Sequence, residues 1–278
     1  MKRILSISLW AILSATMLLP VSCCRKDTLK VMSFNIRFGT ANDGENCWEN
    51  RKSAVIAMLD TVNPDIVGMQ EVLPFQQEFV VEQCPRFQAY GLGRNDGVEG
   101  ERMTVIYNKE VLELEDNGTW WLSETPVIPS TGWDAKHPRT ATWVLMKDLR
   151  CGKEFYLVNT HLDHRGVEAR KNGLALVMKL IKDMNPDIPL VLMGDFNVEP
   201  GDPCLDDVER LMNNARKVAR ETDATLSFNG FQLEPQKEID YIYFNGFKGA
   251  SQFRVVSESY DSKPFISDHY PIVSTLIY

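Results

Sequence analysis

The chain has 278 residues, of which 44% are hydrophobic and 24% are charged. A predicted signal of 23 residues would leave 278 − 23 = 255, a length that suits one large α/β domain or two small ones. The chain's formal net charge of −8 at pH 7 disfavours a generic binder of long DNA, because such proteins usually carry an overall basic surface. A local basic cleft stays compatible with this charge.

The first 23 residues are predicted to be an export signal. Lys2 and Arg3 form a basic start, an apolar run follows, and Cys23 and Cys24 come directly after it. This arrangement resembles a bacterial lipoprotein signal, in which one cysteine is acylated and becomes the new N-terminus. The resemblance implies a lipid-anchored protein on the periplasmic or the cell-surface side. A cleaved secretory signal and an uncleaved anchor are the alternatives.

A short tether, residues 24–28, is predicted to lead into a single domain over residues 29–278. The sequence shows no internal repeat and no further hydrophobic run of spanning length, which argues against a multi-pass membrane protein. The remaining cysteines are widely spaced without a CxxC pair, so disulfide bonds and free thiols are both open. They are Cys47, Cys84, Cys151 and Cys204.

Two segments have the spacing of amphipathic helices. The first carries its apolar stripe at Val55, Met58, Leu59 and Val62, and Pro64 ends it because proline lacks the backbone N–H that a helix needs. The second covers residues 165–184. The apolar residues at its i, i+3, i+4 and i+7 positions are Leu174, Val177, Met178 and Ile181.

Nine segments are predicted to be β-strands, because they are short and rich in apolar and β-branched residues. In chain order they cover residues 29–36, 65–70, 103–108, 140–148, 154–161, 188–195, 239–244, 252–258 and 271–278. Since strands outnumber helices, a simple alternating Rossmann arrangement is disfavoured. Two packed sheets flanked by helices would bury this many strands.

Several of these strands end on an amide, a carboxylate or an imidazole. The stretch LVLMGDFN, taken alone, is explained by ordinary turn chemistry after a buried strand. A set of polar strand ends instead indicates a site at one edge of a sheet. The residues are Asn35, Glu71, His161, Asp195 and Asn197, with Asp268 and His269 just before the last strand.

The residue types of this set narrow the chemistry. Carboxylate and amide oxygens suit Mg²⁺, Mn²⁺ or Ca²⁺ better than Zn²⁺. The sequence has only four histidines and no HExxH motif, and it lacks the GxxxxGK[ST], GxSxG and GxGxxG motifs of other common enzyme classes. Metal-assisted attack of water on a phosphoester is the interpretation that remains.

Six short motifs together resemble the endonuclease/exonuclease/phosphatase superfamily of metal-dependent phosphoesterases. The resemblance runs from Lys30 to Tyr278 and implies an α/β fold, a four-layer α/β sandwich. In it two mixed β-sheets pack face to face, flanked by helices, with the site at one end. Each motif alone is weak, whereas six in this order are highly specific. The motifs are SFNIR, QE, NTHL, GDFN, IDYI and SDH.

The resemblance implies a metal site. Asn35 and Glu71 match the pair that holds the metal in this family, with Glu71 as the principal ligand. Asp268 matches a carboxylate close to the metal. The cofactor implied is Mg²⁺, with Mn²⁺ as an alternative.

The resemblance also implies catalytic residues. His161 matches the histidine that hydrogen-bonds the scissile phosphate. Asp195 and Asn197 match the pair that positions or deprotonates the attacking water. His269 matches the catalytic imidazole, and Asp240 the aspartate that orients it. Whether His269 or Asp195 takes the proton from water is left open.

Other residues are weighed on their own. Arg139 is either a bidentate phosphate donor or an ordinary ion-paired arginine. Trp120 and Trp121 point to opposite faces of a strand, so at least one is expected in the core. The other, or Trp48 or Trp133, could provide an aromatic platform for a base or a sugar. The segments around these tryptophans look like a bacterial subgroup near the deadenylase and nocturnin-like branch of the superfamily, a looser relation than the catalytic match.

The leading hypothesis is a divalent-metal-dependent phosphodiesterase, such as a nuclease, or a phosphatase. Its substrate would be a nucleic acid, a nucleotide or a small phosphoester. The alternative is a catalytically silent surface binding protein on the same scaffold, and the six intact motifs favour the enzyme. The sequence indicates no protein partner, and a monomer is expected.

Overall fold

A computed structural model describes residues 27–278, so the predicted signal and residues 24–26 of the predicted tether lie outside the described residues. Within that range no helix is long and apolar enough to cross a membrane. The strands are β1 (Thr28–Asn35), β2 (Ile66–Val72), β3 (Phe87–Tyr90), β4 (Arg102–Asn108), β5 (Leu112–Trp121), β6 (Thr140–Asp148), β7 (Lys153–His161), β8 (Leu190–Asp195), β9 (Asn213–Asn214), β10 (Asp240–Asn245), β11 (Gly249–Val255) and β12 (Ile272–Ile277). The α-helices are α1 (Trp48–Val62), α2 (Pro74–Gln83), α3 (Val167–Lys182), α4 (Asp206–Leu211) and α5 (Ala215–Val218).

The strands form two six-stranded sheets. The first has the order β11-β12-β1-β2-β4-β3, and the second has the order β5-β6-β7-β8-β10-β9. Strands β1 and β2 run parallel, as do β7 and β8, and the other neighbouring pairs are antiparallel. The prediction of two mixed sheets is therefore confirmed.

Three apolar clusters separate four layers. One cluster lies between the two sheets, the second between the first sheet and helices α1 and α2, and the third between the second sheet and helices α3 and α4. Burying one large apolar side chain contributes about 1.5–3 kcal/mol, so each interface holds its layers firmly. Examples from the three clusters are Val144, Phe155 and Ile272; Met58, Leu59 and Val80; and Leu174, Val177 and Val208.

The two predicted helices form where their apolar stripes place them. Helix α1 ends at Val62, and Asn63 follows in the left-handed conformation with φ of 47°. Its backbone N–H donates to the carbonyl of Leu59 at 2.9 Å and satisfies a helix-end acceptor. Helix α2 was not predicted, because only Gln76 and Val80 of it are buried and they make no apolar stripe.

The four cysteines of the described range are free thiols. Cys84 is buried and the other three are partly exposed. The cysteine spacing left disulfide bonds and free thiols open, and the structure has free thiols in residues 27–278.

One polar cluster interrupts the apolar interface between the sheets. Gln70 of β2 donates from Nε2 to Oδ1 of Asn159 on β7 at 2.7 Å, and Asn159 donates from Nδ2 to the carbonyl of Met69 at 2.8 Å. Both side chains are completely buried. Because hydrogen bonds are directional while apolar contacts are not, this pair fixes the offset of the two sheets directly behind Glu71 and His161.

Candidate active site

The predicted site residues meet at one end of the sandwich, around a cleft of about 410 Å³. Asn35 and Asp240 lie behind the cleft wall, where they are 0% and 2% exposed. The predicted residues that line the cleft are Glu71, Arg139, His161, Asp195, Asn197, Asp268 and His269. Strands of both sheets supply this set, so the cleft spans the two halves of the fold.

A bulge in β2 aims Glu71 into the cleft. The pairing of β2 with β4 shifts register between Met69 and Val72, and Glu71 has φ of 62° in the left-handed region. Such a conformation is costly for a residue other than glycine and is kept at functional positions where the surroundings enforce it. The carboxylate accepts the backbone N–H of Phe38 at 3.0 Å.

Asn35 joins the two halves of the site. Its Nδ2 donates to Oε1 of Glu71 at 3.2 Å and to Oδ2 of Asp195 at 3.0 Å. Its Oδ1 accepts the backbone N–H of Arg37 at 3.0 Å. Both polar atoms of Asn35 therefore have protein partners, and its predicted role as a metal ligand stays a prediction.

The GDFN stretch requires its glycine. Gly194 has φ of 146°, and a Cβ there would lie 1.8 Å from the carbonyl oxygen of Thr160. No side chain fits that close approach between β8 and β7. After the glycine, Oδ1 of Asp195 accepts the backbone N–H of Asn197 at 2.9 Å. The amide of Asn197 donates in turn to the carbonyl of Leu162 at 3.1 Å.

Two imidazoles flank one carboxylate oxygen. Oδ2 of Asp195 lies 3.5 Å from Nε2 of His161 and 3.6 Å from Nε2 of His269. Nδ1 of His269 lies 2.8 Å from Oδ2 of Asp240, and the ring edge of Phe228 packs 5.0 Å away. The Asp240 contact orients the second imidazole towards the cleft, as the family resemblance implies.

Burial and neighbouring charges set the protonation of these groups. Burial raises the pKa of Asp195, and the nearby carboxylate of Asp240 raises it further. Burial alone would lower the pKa of His269, but the carboxylates of Asp240 and Asp195 outweigh it, so this pKa lies above its ordinary value. Burial, together with the positive charge of Arg139, lowers the pKa of His161. At neutral pH His269 is therefore the protonated imidazole and His161 the neutral one.

A pair of carboxylates faces the cleft from the first sheet. Burial raises the pKa of Asp268, and the negative charge of Glu71 adds to the rise although His269 opposes it. The guanidinium of Arg37 lies 3.5 Å from Oδ2 of Asp268. Two nearby carboxylates supply the hard oxygen donors that Mg²⁺ and Mn²⁺ prefer. The donor set therefore fits the predicted ion.

Arg139 is both ion-paired and part of the cleft wall. It is 6% exposed, and its Nε donates to Oδ2 of Asp163 at 3.2 Å. Its Nη2 lies 2.9 Å from Nδ1 of His164. The two predicted alternatives are thus compatible, because the ion pair holds a guanidinium that lines the cleft near His161.

The sequence motifs did not identify several residues of the cleft. Arg94 and Glu101 come from the loop between β3 and β4, and Lys237 lies just before the IDYI motif. Loop residues follow no strand-end pattern, so only the position of Lys237 beside a motif offered a signal. The other lining residues include Arg37 of the SFNIR motif and Ile239 of the IDYI motif, with Phe38, His137, His164 and Phe228.

No tryptophan of residues 27–278 lines the cleft, so the aromatic platform that Trp120, Trp121, Trp48 or Trp133 could provide is not formed there. Trp48 is 2% exposed and packs in the core, and neither it nor Trp133 lines the cleft. Trp121 acts indirectly, since its Nε1 donates to the backbone carbonyl of Arg94 at 2.7 Å and holds that loop in place.

Known proteins share both this sequence pattern and this fold. A profile of the Endonuclease/Exonuclease/phosphatase family matches residues 32–269. A structure of an endonuclease/exonuclease/phosphatase from Bacteroides vulgatus is 34% identical with a TM-score of 0.85, covering 90% of this chain and 99% of that one. A mannosyl-6-phosphatase of Bacteroides thetaiotaomicron is 29% identical with a TM-score of 0.85, covering 90% of this chain and all of that one.

A eukaryotic relative extends the comparison. Nocturnin of Drosophila melanogaster is 25% identical over 201 residues, which cover 64% of this chain and only 30% of nocturnin. The match supports the expected relation to the nocturnin-like branch. With its six motifs gathered at one cleft and its profile match over most of its length, the chain belongs to the endonuclease/exonuclease/phosphatase family, a family of phosphoester hydrolases.

Proposed function

We propose that this protein is a divalent-metal-dependent phosphatase that hydrolyses a small phosphorylated compound. One observation carries the proposal: the Glu71 and Asp268 carboxylates and the Asp195 oxygen between two imidazoles face the same cleft. The volume of about 410 Å³ suits a small substrate. The similarity to a mannosyl-6-phosphatase supports a monoester, and the acidic net charge disfavours long nucleic acids.

The metal site of this proposal consists of Glu71 and Asp268. When bound, a divalent ion there would act as a Lewis acid that stabilises negative charge on the phosphoryl oxygens. A second group, Asp195, Asp240 and His269, also places ligand atoms within 4.8 Å of one another. In that group, however, the two nitrogens of His269 face different carboxylates, at 2.8 and 3.6 Å. One imidazole cannot turn both nitrogens to one ion, so we assign these residues to proton handling.

The roles of the second-sheet residues follow from their hydrogen bonds. Asp195 accepts the proton of the attacking water, because its Oδ2 lies at the cleft and its Oδ1 is fixed by Asn197. His269, held by Asp240, donates a hydrogen bond from Nε2 to a phosphoryl oxygen. The water oxygen then forms the new bond to phosphorus and the bond to the leaving oxygen breaks. The leaving oxygen takes a proton from solvent and departs as an alcohol, and Asp195 releases the proton of the attacking water to solvent. Neutral His161 and the guanidinium of Arg139 offer further donors to the phosphate.

Hydrolysis of two model esters tests this proposal. With Mg²⁺ or Mn²⁺ we expect turnover of p-nitrophenyl phosphate that exceeds turnover of bis-p-nitrophenyl phosphate. EDTA should abolish it, and added ion should restore it. Faster turnover of the diester contradicts the phosphatase assignment. If neither ester nor nucleic acid is hydrolysed with any divalent ion, the catalytically silent binding protein is the better description.

A direct binding measurement tests the metal ligands without relying on turnover. Titration calorimetry with Mn²⁺ should show at least about a tenfold weaker affinity for Glu71→Gln than for the unaltered protein, because a charged ligand becomes a neutral one. Glu49→Gln is the matched control, since Glu49 lies on exposed helix α1 surface with a side chain 69% exposed. Equal Mn²⁺ affinity in all three proteins would show that Glu71 is not a ligand and that the ion binds elsewhere.

We also propose that the protein is exported and lipid-anchored. The support is the sequence alone, with its basic start, apolar run and adjacent Cys23 and Cys24. A fatty-acid label should be incorporated in a bacterial host, and replacing the acylated cysteine by serine should abolish the labelling. Release of an unlabelled chain into the medium would indicate a cleaved secretory signal instead.

A further inference from the structure

One ion pair in the cleft is not used by the proposed chemistry. Nη1 of Arg94 donates to Oε2 of Glu101 at 2.8 Å, and both side chains line the cleft that holds Glu71 and His161. The pair is well covered, with side chains 13% and 15% exposed. Because both side chains line the same cleft, they can contact the part of a bound substrate that lies beyond its phosphate.

The loop that carries this pair is built to a fixed shape. Residues 91–101 fold back on themselves, and the backbone N–H of Arg94 donates to the carbonyl of Glu101 at 3.1 Å. Gly93 sits at the crossing, where an added Cβ would lie 2.4 Å from the backbone of Glu99. Trp121 holds the carbonyl of Arg94 from the neighbouring sheet at 2.7 Å. The two side chains are therefore presented in a preorganised geometry.

Both side chains keep unused hydrogen-bonding capacity. In residues 27–278 the Arg94 guanidinium makes no side-chain hydrogen bond other than that to Oε2 of Glu101, and Oε1 of Glu101 accepts none. Arginine has five N–H donors, and a carboxylate accepts several hydrogen bonds. The pair thus offers donors and an acceptor side by side.

The Arg94–Glu101 pair disfavours the binding of a second anionic group, and the cleft offers no free ring for an aromatic base. A second phosphate would meet the negative charge of Glu101 beside Arg94, and a fully ionised phosphate has no proton to donate to that carboxylate. The aromatic rings of the cleft are engaged already: Phe228 packs on His269 at 5.0 Å, and the Arg37 guanidinium covers Phe38 at 5.0 Å. A hydroxyl group, by contrast, both accepts from a guanidinium and donates to a carboxylate.

We propose that Arg94 and Glu101 form the leaving-group subsite and bind adjacent hydroxyl groups of a phosphorylated polyol, such as a sugar monophosphate. This inference rests on the proposed phosphatase function and names its substrate class. Arg94 and Glu101 determine specificity and take no part in the proton transfers at Asp195.

The test compares substrates with and without hydroxyl groups. We define a specificity ratio as kcat/KM for a polyol phosphate divided by kcat/KM for p-nitrophenyl phosphate, measured with Mg²⁺. The panel contains mannose 6-phosphate, glucose 6-phosphate and glycerol 3-phosphate. Glu101→Gln and Arg94→Gln should each lower the ratio of the best polyol substrate about tenfold or more, because each removes a charge-assisted hydrogen bond. Arg210→Gln, which removes an exposed ion pair far from the cleft, should leave it unchanged.

The unaltered protein provides a second measurement that does not depend on whether a variant folds. Its KM for the best polyol phosphate should be at least about tenfold lower than its KM for phenyl phosphate, which presents no hydroxyl group. Equal KM values, or an unchanged ratio in folded Glu101→Gln and Arg94→Gln, overturn the inference while the phosphatase function stands. Absence of phosphoester turnover by the unaltered protein overturns the proposed function and this inference with it.

Discussion

The two ends of the sandwich contain the same kinds of charged side chain, but these side chains have different roles at each end. At the end away from the cleft, Arg150 donates to both Asp65 and Asp148 at distances between 2.6 and 3.2 Å. Asp65 also accepts the backbone N–H of Lys30 at 2.7 Å. This network ties β1, β2 and β6 together, and its charges face one another.

At the cleft end, by contrast, some buried polar atoms of titratable side chains have no partner. Asp240 has an oxygen, and His161 a nitrogen, that are buried without a hydrogen-bond partner in the described residues. Glu71 and Asn197 hold left-handed backbone conformations, with φ of 62° and 53°. Unpartnered atoms on a buried carboxylate and a buried imidazole, together with left-handed conformations at cleft-lining residues, distinguish the cleft end, whereas the presence of an Asp or an Arg alone does not.

The largest expected effect is the loss of turnover in Asp195→Asn. The variant keeps the shape of the side chain but removes the charge that lies between His161 and His269, so we expect kcat to fall about 10³-fold. The melting temperature should stay close to that of the unaltered protein. A kcat within about threefold of the original would contradict the role of Asp195 as proton acceptor.

The second prediction concerns the opposite end. Arg150→Met should lower the free energy of unfolding by about 3–5 kcal/mol, because it leaves Asp65 and Asp148 as buried carboxylates without their cation. At a temperature where the variant is folded, its kcat should match the unaltered value. Denaturant unfolding and steady-state kinetics on one preparation measure both quantities. If Arg150→Met instead lowered kcat without changing the free energy of unfolding, the Arg150 network would not differ in role from the cleft residues.

The third prediction concerns Gln70 and Asn159, the buried pair between the two sheets. Asn159→Leu should lower the free energy of unfolding by about 1–3 kcal/mol, because it removes a buried acceptor of the Gln70 amide and the Asn159 donor to the carbonyls of Met69 and Thr104. The double variant with Gln70→Leu should lose less than the sum of the two single losses, since each single variant already removes the shared Gln70–Asn159 hydrogen bond. Additive losses in denaturant unfolding would show that the two amides do not act as a pair.

How far the sequence predicts this molecule depends on what positions each residue. Asn35, Glu71 and Asp195 were predictable because each ends a strand or follows one directly, and a sheet brings strand ends to a common edge. Arg94 and Glu101 were not, because their placement depends on how a glycine-rich loop folds back and contacts a tryptophan of the other sheet. The short strand β3 and helix α2 were not predicted either, because neither carries enough periodic apolar residues.

The smallest expected effect distinguishes the contribution of the N–O distance from that of burial in an ion pair. Arg210 and Asp207 approach to 2.6 Å, the same distance as Arg150 and Asp148, but their side chains are 68% and 64% exposed against 16% and 0%. Water screens the exposed pair and the unpaired carboxylate is easily hydrated, so Arg210→Gln should change the free energy of unfolding by only about 0–1 kcal/mol. Denaturant unfolding of both variants side by side measures the contrast. If both lost the same stability, the N–O distance rather than burial would govern these ion pairs, and the distinction between a structural network and a surface contact would fail.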